Sequence, residues 1–126
     1  MACAQRMGIG APWRILLSDG DPGDGTVACV SVVDGQPTAT FQLSDEAYGH
    51  SAEERRETVA HEMLHVCTWG QLAALELAER HLSPATYQVL RDAYVEAWEQ
   101  STERLARVIA PLLPLPGEWA DAPRRR

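Results

Sequence analysis

Apolar and polar positions along the chain change period once, and that change divides it into a strand-rich front and a helical back. Trp13 to Ser18 (W-R-I-L-L-S) reads as a short strand, ended by the turn-rich run from Ser18 to Gly25. Thr26 to Val33 is rich in valine with partial alternation, and Thr38 to Leu43 (T-A-T-F-Q-L) alternates more clearly. Asp34-Gly35-Gln36-Pro37 joins the two as a hairpin turn. These segments predict a small three-stranded antiparallel sheet. From Glu53 to Trp69 neither proline nor glycine occurs, so nothing breaks a helix there. Ser51 followed by Glu54 forms a capping box that marks where this helix starts. A second helix is expected over Gln71 to Arg80. A third opens at Ser83-Pro84, since proline suits a first helical position, and runs to about Ala110, where Pro111 stops it. Tyr87, Leu90, Tyr94, Trp98, Ser101, Leu105, Val108 and Leu112 recur at helical spacing as its expected core stripe. The pattern predicts an α+β domain over residues 13–112, with a flexible leader at 1–12 and a mobile, proline-rich tail at 113–126.

Composition narrows the function classes. A chain of 126 residues holds one domain with a modest core, and its 45% hydrophobic content is ordinary for a globular protein. A net charge of −7 argues against a nucleic-acid partner, because phosphate binding needs a basic face. No apolar run is long enough to span a membrane, and Gly8, Gly10 and Pro12 fall where a signal peptide needs an apolar stretch. Three cysteines cannot all pair, which suggests reduced thiols and a cytoplasmic setting. No internal repeat is present, and the oligomeric state is not legible.

The chemistry concentrates in His61-Glu62-Met63-Leu64-His65, the pattern H-E-x-x-H. On a helix His61 and His65 stand about 40° apart on one face, one turn above the other. Two neutral imidazoles so placed can hold one Zn²⁺, with Glu62 beside them as general base. With His61 as zero, Val66, Val59, Met63, Cys67, Ala60 and Leu64 fall between about 140° and 300°, a core-facing back to a polar front. Such histidine pairs also occur as solvated surface groups, which is the structural alternative.

A catalytic zinc keeps three protein ligands and one open position. Downstream candidates for the third are Glu76, Glu79, His81, Glu96, Glu99 and Glu103. The long helix can aim a carboxylate at the ion. Glu99 is the one nearest the expected buried margin, at about 140° from Tyr94 on the wheel, while Glu96 and Glu103 point further outward. His81 reaches the ion only if the chain folds back sharply. Tyr94, Tyr87 and His81 are the candidates for stabilising an oxyanion.

With these residues the chain resembles the zincin superfamily of metallopeptidases, and in particular the very small single-domain metallopeptidases encoded by actinobacterial phages. T-V-A-H-E-M-L-H-V-C, from Thr58 to Cys67, is similar to the extended zincin pattern. Glu99 to Pro116 is similar to the carboxy-terminal helix of the small phage proteins, where a glutamate precedes an L-A-x-x-I-A-P-L-L-P ending. The likeness covers roughly residues 13 to 116. It implies zinc held by His61, His65 and Glu99, hydrolysis of a peptide or protein substrate, and a role for the strand Thr38–Leu43 as the edge that pairs with extended substrate. Thr68 and Gln71 stand where a metzincin needs glycine and histidine, so that subclass is excluded. Peptide deformylases share H-E-M-x-H with a cysteine as third ligand, which brings in Cys29, but Val27-Ala28-Cys29 lacks the Glu-Gly that precedes it there. A zincin-like domain that only binds a protein partner is the rival of another class.

Overall fold

The computed structural model describes residues 2–9, 13–18, 21–23, 25–33 and 35–115. Three strands, β1 (Arg14–Ser18), β2 (Ala28–Val32) and β3 (Thr38–Leu43), precede the main helices. The fold is α+β as expected, but the sheet is mixed. Its order is β1-β3-β2, with β2 antiparallel to β3 and β1 parallel to it. The wholly antiparallel expectation is therefore corrected. Alternation fixes which face of a strand is buried, but it says nothing of strand direction. The β2–β3 connection is the expected tight one, with Gly35 at φ 72° in the turn.

This order also moves β3 from the edge to the centre. Both of its sides carry ladder hydrogen bonds, Leu16 facing Thr40 on one side and Ser31 facing Thr40 on the other. An extended chain has no place to pair with it. The edges are β1 and β2.

After a short helix α2 (Asp45–Gly49) comes α3 (Ala52–Thr68), the histidine-bearing helix. Its capping box is complete: the Ser51 hydroxyl accepts from the Glu54 amide, and the Glu54 carboxylate accepts from the Ser51 amide at 2.7 Å. That pairing satisfies two of the amides an N-terminus leaves free. A 3-10 turn at Trp69–Gln71 leads into α4 (Leu72–His81), and Ser83 caps α5 (Pro84–Ile109) with Pro84 in its first turn. A further 3-10 turn at Ala110–Leu112 ends the helical run at Pro111.

Helix α3 lies between the sheet and α5, and its positions divide between them. Met63 and Val66 join Ala39 and Phe41 of β3, with Val30 and Val32 of β2 packed alongside. Ala60 and Leu64 join Ala106, Ala110 and Leu113. Val59 borders both clusters. Small residues let the layers approach closely, since Ala39 and Ala60 are fully buried. Cys67, expected on the apolar back, is exposed.

The buried face of α5 differs from the expected stripe. Thr102, Ala106 and the following Ala110 and Leu113 are buried, whereas Leu105, Val108 and Leu112 are exposed. On the wheel the buried face sits about 90° from Tyr94 rather than upon it. The small residues Thr102 and Ala106, rather than the large apolar ones, lie on the face turned toward α3. The first residues also depart from a loose leader. Helix α1 (Ala2–Arg6) places Cys3 and Ala4 in the core, as does Ile9 after it. Leu113 is buried as well, with its carbonyl accepting from Arg56 at 3.3 Å, so this residue belongs to the packed core. Residues 1 and 10–12 of the leader and 116–126 of the tail lie outside the described residues.

Candidate metal centre

Where α5 crosses α3, three side chains converge. His65 Nε2 lies 3.1 Å from Glu99 Oε1, and His61 Nε2 lies 3.2 Å from Glu99 Oε2. The two imidazole nitrogens stand 3.1 Å apart with their rings in an edge arrangement. Two ring nitrogens and a carboxylate, all capable of ligating a metal, face one point. Donors about 2.0–2.1 Å from a tetrahedral zinc are separated by roughly 3.3 Å, so the observed spacing fits an ion at their centre. His61, His65 and Glu99 are the one group of three or more ligating side chains among the described residues able to hold a metal.

Sequence elements set each member. The helix places His61 and His65 on adjacent turns. Glu99 is positioned by the antiparallel pairing of α5 with α3. Its neighbour Trp98 donates from Nε1 to Thr68 Oγ1 at 2.8 Å, and the Thr68 hydroxyl donates in turn to the Leu64 carbonyl at 2.8 Å. The indole also meets the His65 ring edge-on at 4.4 Å between centroids, with Trp69 behind it at 6.1 Å. Burial lowers the pKa of His65, opposed by the charge of Glu99, and so favours the neutral ligand form. Its Nδ1 is buried without a hydrogen-bond partner among the described residues, although ligating histidines usually donate from that atom.

Glu62 lies beside the group, 7% exposed, with no hydrogen bond to another described residue. Burial, and secondarily the charge of Glu99, push its pKa up to about 8. A carboxyl in such a place is expensive to ionise unless a cation accompanies it. Glu62 and His61 line a cleft of about 390 Å³. Val27 and Ala28 at the β2 edge, Thr58 of α3 and Ala106 of α5 also line it.

Other expected residues fall elsewhere. His81 ends α4, exposed, and is not part of the metal-competent group. The Tyr94 hydroxyl is occupied with Gln71, donating to its carbonyl at 3.1 Å, and neither Tyr94 nor Tyr87 lines the cleft. The Cys29 thiol donates to Gln42 Oε1 at 3.2 Å and is not one of the converging ligands. His50, which no sequence pattern picked out, does line the cleft from the end of α2. Glu103, expected to point outward, lines it too, because the buried face of α5 is turned toward it. No protein-family model, no curated protein and no solved structure matches this chain.

Proposed function

We propose that the chain is a zinc-dependent metallopeptidase of narrow specificity. The observation that carries this reading is the meeting of His61, His65 and Glu99 at 3.1–3.2 Å, with a buried and unpartnered Glu62 beside them lining a cleft. Surface histidine pairs do not ordinarily gather a carboxylate from another helix and a second, buried one.

When bound, the ion supplies Lewis acidity toward the scissile carbonyl and lowers the pKa of water. His61, His65 and Glu99 would hold it. Glu62 takes a proton from the attacking water and passes it to the leaving amine. A divalent charge at the triad opposes the effect of Glu99 and favours the ionised carboxylate that this role requires. His50 is the cleft residue best suited to donate to a developing oxyanion, since Tyr94, Tyr87 and His81 lie elsewhere. Substrate pairing, which the zincin resemblance assigned to β3, falls instead to the open edge of β2, where Val27 and Ala28 border the cleft.

Elemental analysis of purified full-length protein is expected to return one zinc per chain. Denatured protein and peptide libraries should be cut, and chelator should stop the cutting. Zinc at one equivalent with nothing cleaved would favour a partner-binding module, and failure to take up any divalent ion would end the metallopeptidase reading.

A further inference from the structure

The two ends of the triad differ. At the His65 end the ring is covered by Trp98, with Trp69 behind. At the His61 end the floor continues along α3 for about two turns, past Thr58 and Glu57 to Glu54. Glu103 faces this floor from α5. Three carboxylates therefore line the same cleft as His61 and Glu62.

Arg107 is shared by two of these carboxylates, lying 3.5 Å from Glu57 and also paired with Glu103. Glu54 is held by the Ser51 amide, and those hydrogen bonds lower its pKa and keep it ionised. His50 lines the same wall and is itself 3.7 Å from Glu46. Among the described residues lining the cleft stand these three carboxylates and no lysine or arginine, so its wall is acidic, in a chain whose net charge is already −7.

Acidic surface alone is common, and a second feature marks this stretch as a place for a ligand. Glu62, more than nine-tenths buried and hydrogen-bonded to no described residue, is aimed into the same cavity. The cavity of about 390 Å³ falls in the range of small-ligand and short-peptide sites.

We propose that the wall formed by Glu54, Glu57 and Glu103 selects peptides carrying a lysine or arginine within a residue or two of the bond presented to the triad. The long aliphatic stem of such a side chain packs on Ala106, Val27 and Ala28, and its head group meets the carboxylates. The position relative to a scissile bond rests on the metallopeptidase reading. The charge preference in binding does not.

Binding is read by fluorescence anisotropy on full-length E62Q protein supplied with zinc, using labelled peptides that differ only in a central Arg-Lys, Gln-Gln or Glu-Glu pair. The Arg-Lys peptide is expected to bind about tenfold more tightly than the Gln-Gln peptide, with the advantage shrinking at high salt. The triple variant E54Q/E57Q/E103Q should lose that advantage. It keeps the capping box, because glutamine serves there too, and circular dichroism checks its fold. Equal binding of all three peptides, no binding of any, or a preference that survives in the triple variant would overturn the proposal. Wild-type cleavage run in parallel separates the two ideas. Cutting without basic preference sinks only this inference, whereas basic-selective binding without zinc uptake or cutting sinks only the hydrolase.

Discussion

Trp98 donates its indole N–H to the hydroxyl of Thr68 across 2.8 Å, and this bond ties α5 to the end of α3. Thr68 lies three residues beyond His65, and Trp98 immediately precedes Glu99. The bond therefore joins the residues that flank the site on both helices. The Trp98 ring also closes one side of His65. Trp98→Phe keeps a ring against the imidazole but removes the donor. A lost hydrogen bond of this kind costs about 1 kcal/mol, and loosened support for a ligand typically weakens metal affinity by about tenfold or more. Zinc titration against a competing chelator measures the change, and Thr68→Val should reproduce it. Unchanged affinity in both variants would show that packing alone holds the register.

Glu99 comes from outside the motif helix, so its removal tests whether the convergence is a ligand set. Glu99→Ala leaves two imidazoles, and zinc affinity is expected to fall by about a hundredfold or more, since a third protein ligand is lost. His81→Ala should leave affinity unchanged, because His81 ends α4 away from the group. Calorimetric titration of both variants distinguishes the assignments. A loss in His81→Ala with none in Glu99→Ala would reverse them.

Glu62 is assigned proton transfer and no bond to the ion. Glu62→Gln should retain one zinc per chain while cleavage falls by a factor of about a hundred to ten thousand, the range general-base groups contribute. Elemental analysis and a peptide assay on the same sample report both. Full activity in this variant would remove Glu62 from the mechanism.

The motif helix was legible because its signals are local: the Ser51–Glu54 box, the absence of breakers and the histidine spacing all lie within one element. The wheel position singled out Glu99, and the fold does bring it to His61 and His65, although its side chain is half exposed rather than at a buried margin. Strand direction was not legible, because β1 meets β3 through a pairing that local alternation does not encode. The face of α5 was misplaced for a related reason. Large apolar residues at Leu105 and Val108 outweigh Thr102 and Ala106 in any periodicity, yet the face turned toward α3 carries the small ones. His50 carries no pattern of its own. Only the fold brings the end of α2 to the cleft.

Helix α3 depends on its first turn as well as on its core face. Ser51→Ala removes the acceptor for the Glu54 amide and one half of the capping box. Such losses cost about 1 kcal/mol, which lowers the melting temperature of a domain this size by roughly 3–5 °C. Calorimetry should find that decrease, with metal stoichiometry retained because Ser51 lies nearly three turns from His61. Ser51→Asp, which can still cap, should restore most of it.

The position of Glu62 makes stability of the stripped protein depend on pH in a defined direction. Its carboxyl has an ordinary value of 4.5 in the unfolded chain and about 8 in the fold. Between those values the folded state holds a proton that the unfolded state has released, so raising the pH favours unfolding. Below 4.5 both states are protonated and the contribution is flat; above about 8 the full cost, on the order of a few kcal/mol, has been incurred. Urea unfolding of chelator-treated protein should therefore carry a declining component in its midpoint from pH 5 to pH 8, set against the opposite trend of His65, whose lowered pKa favours folding as pH rises. In Glu62→Gln, which has no proton to lose, that part of the decline should vanish. Zinc should oppose the decline in the wild type, since it favours both the ionised Glu62 and the deprotonated ligands, and its stabilising effect should grow as pH rises. An identical slope in wild type and variant would mean that Glu62 is not held in a desolvated place, and the source of its readiness to act as a base would have to be sought in another group.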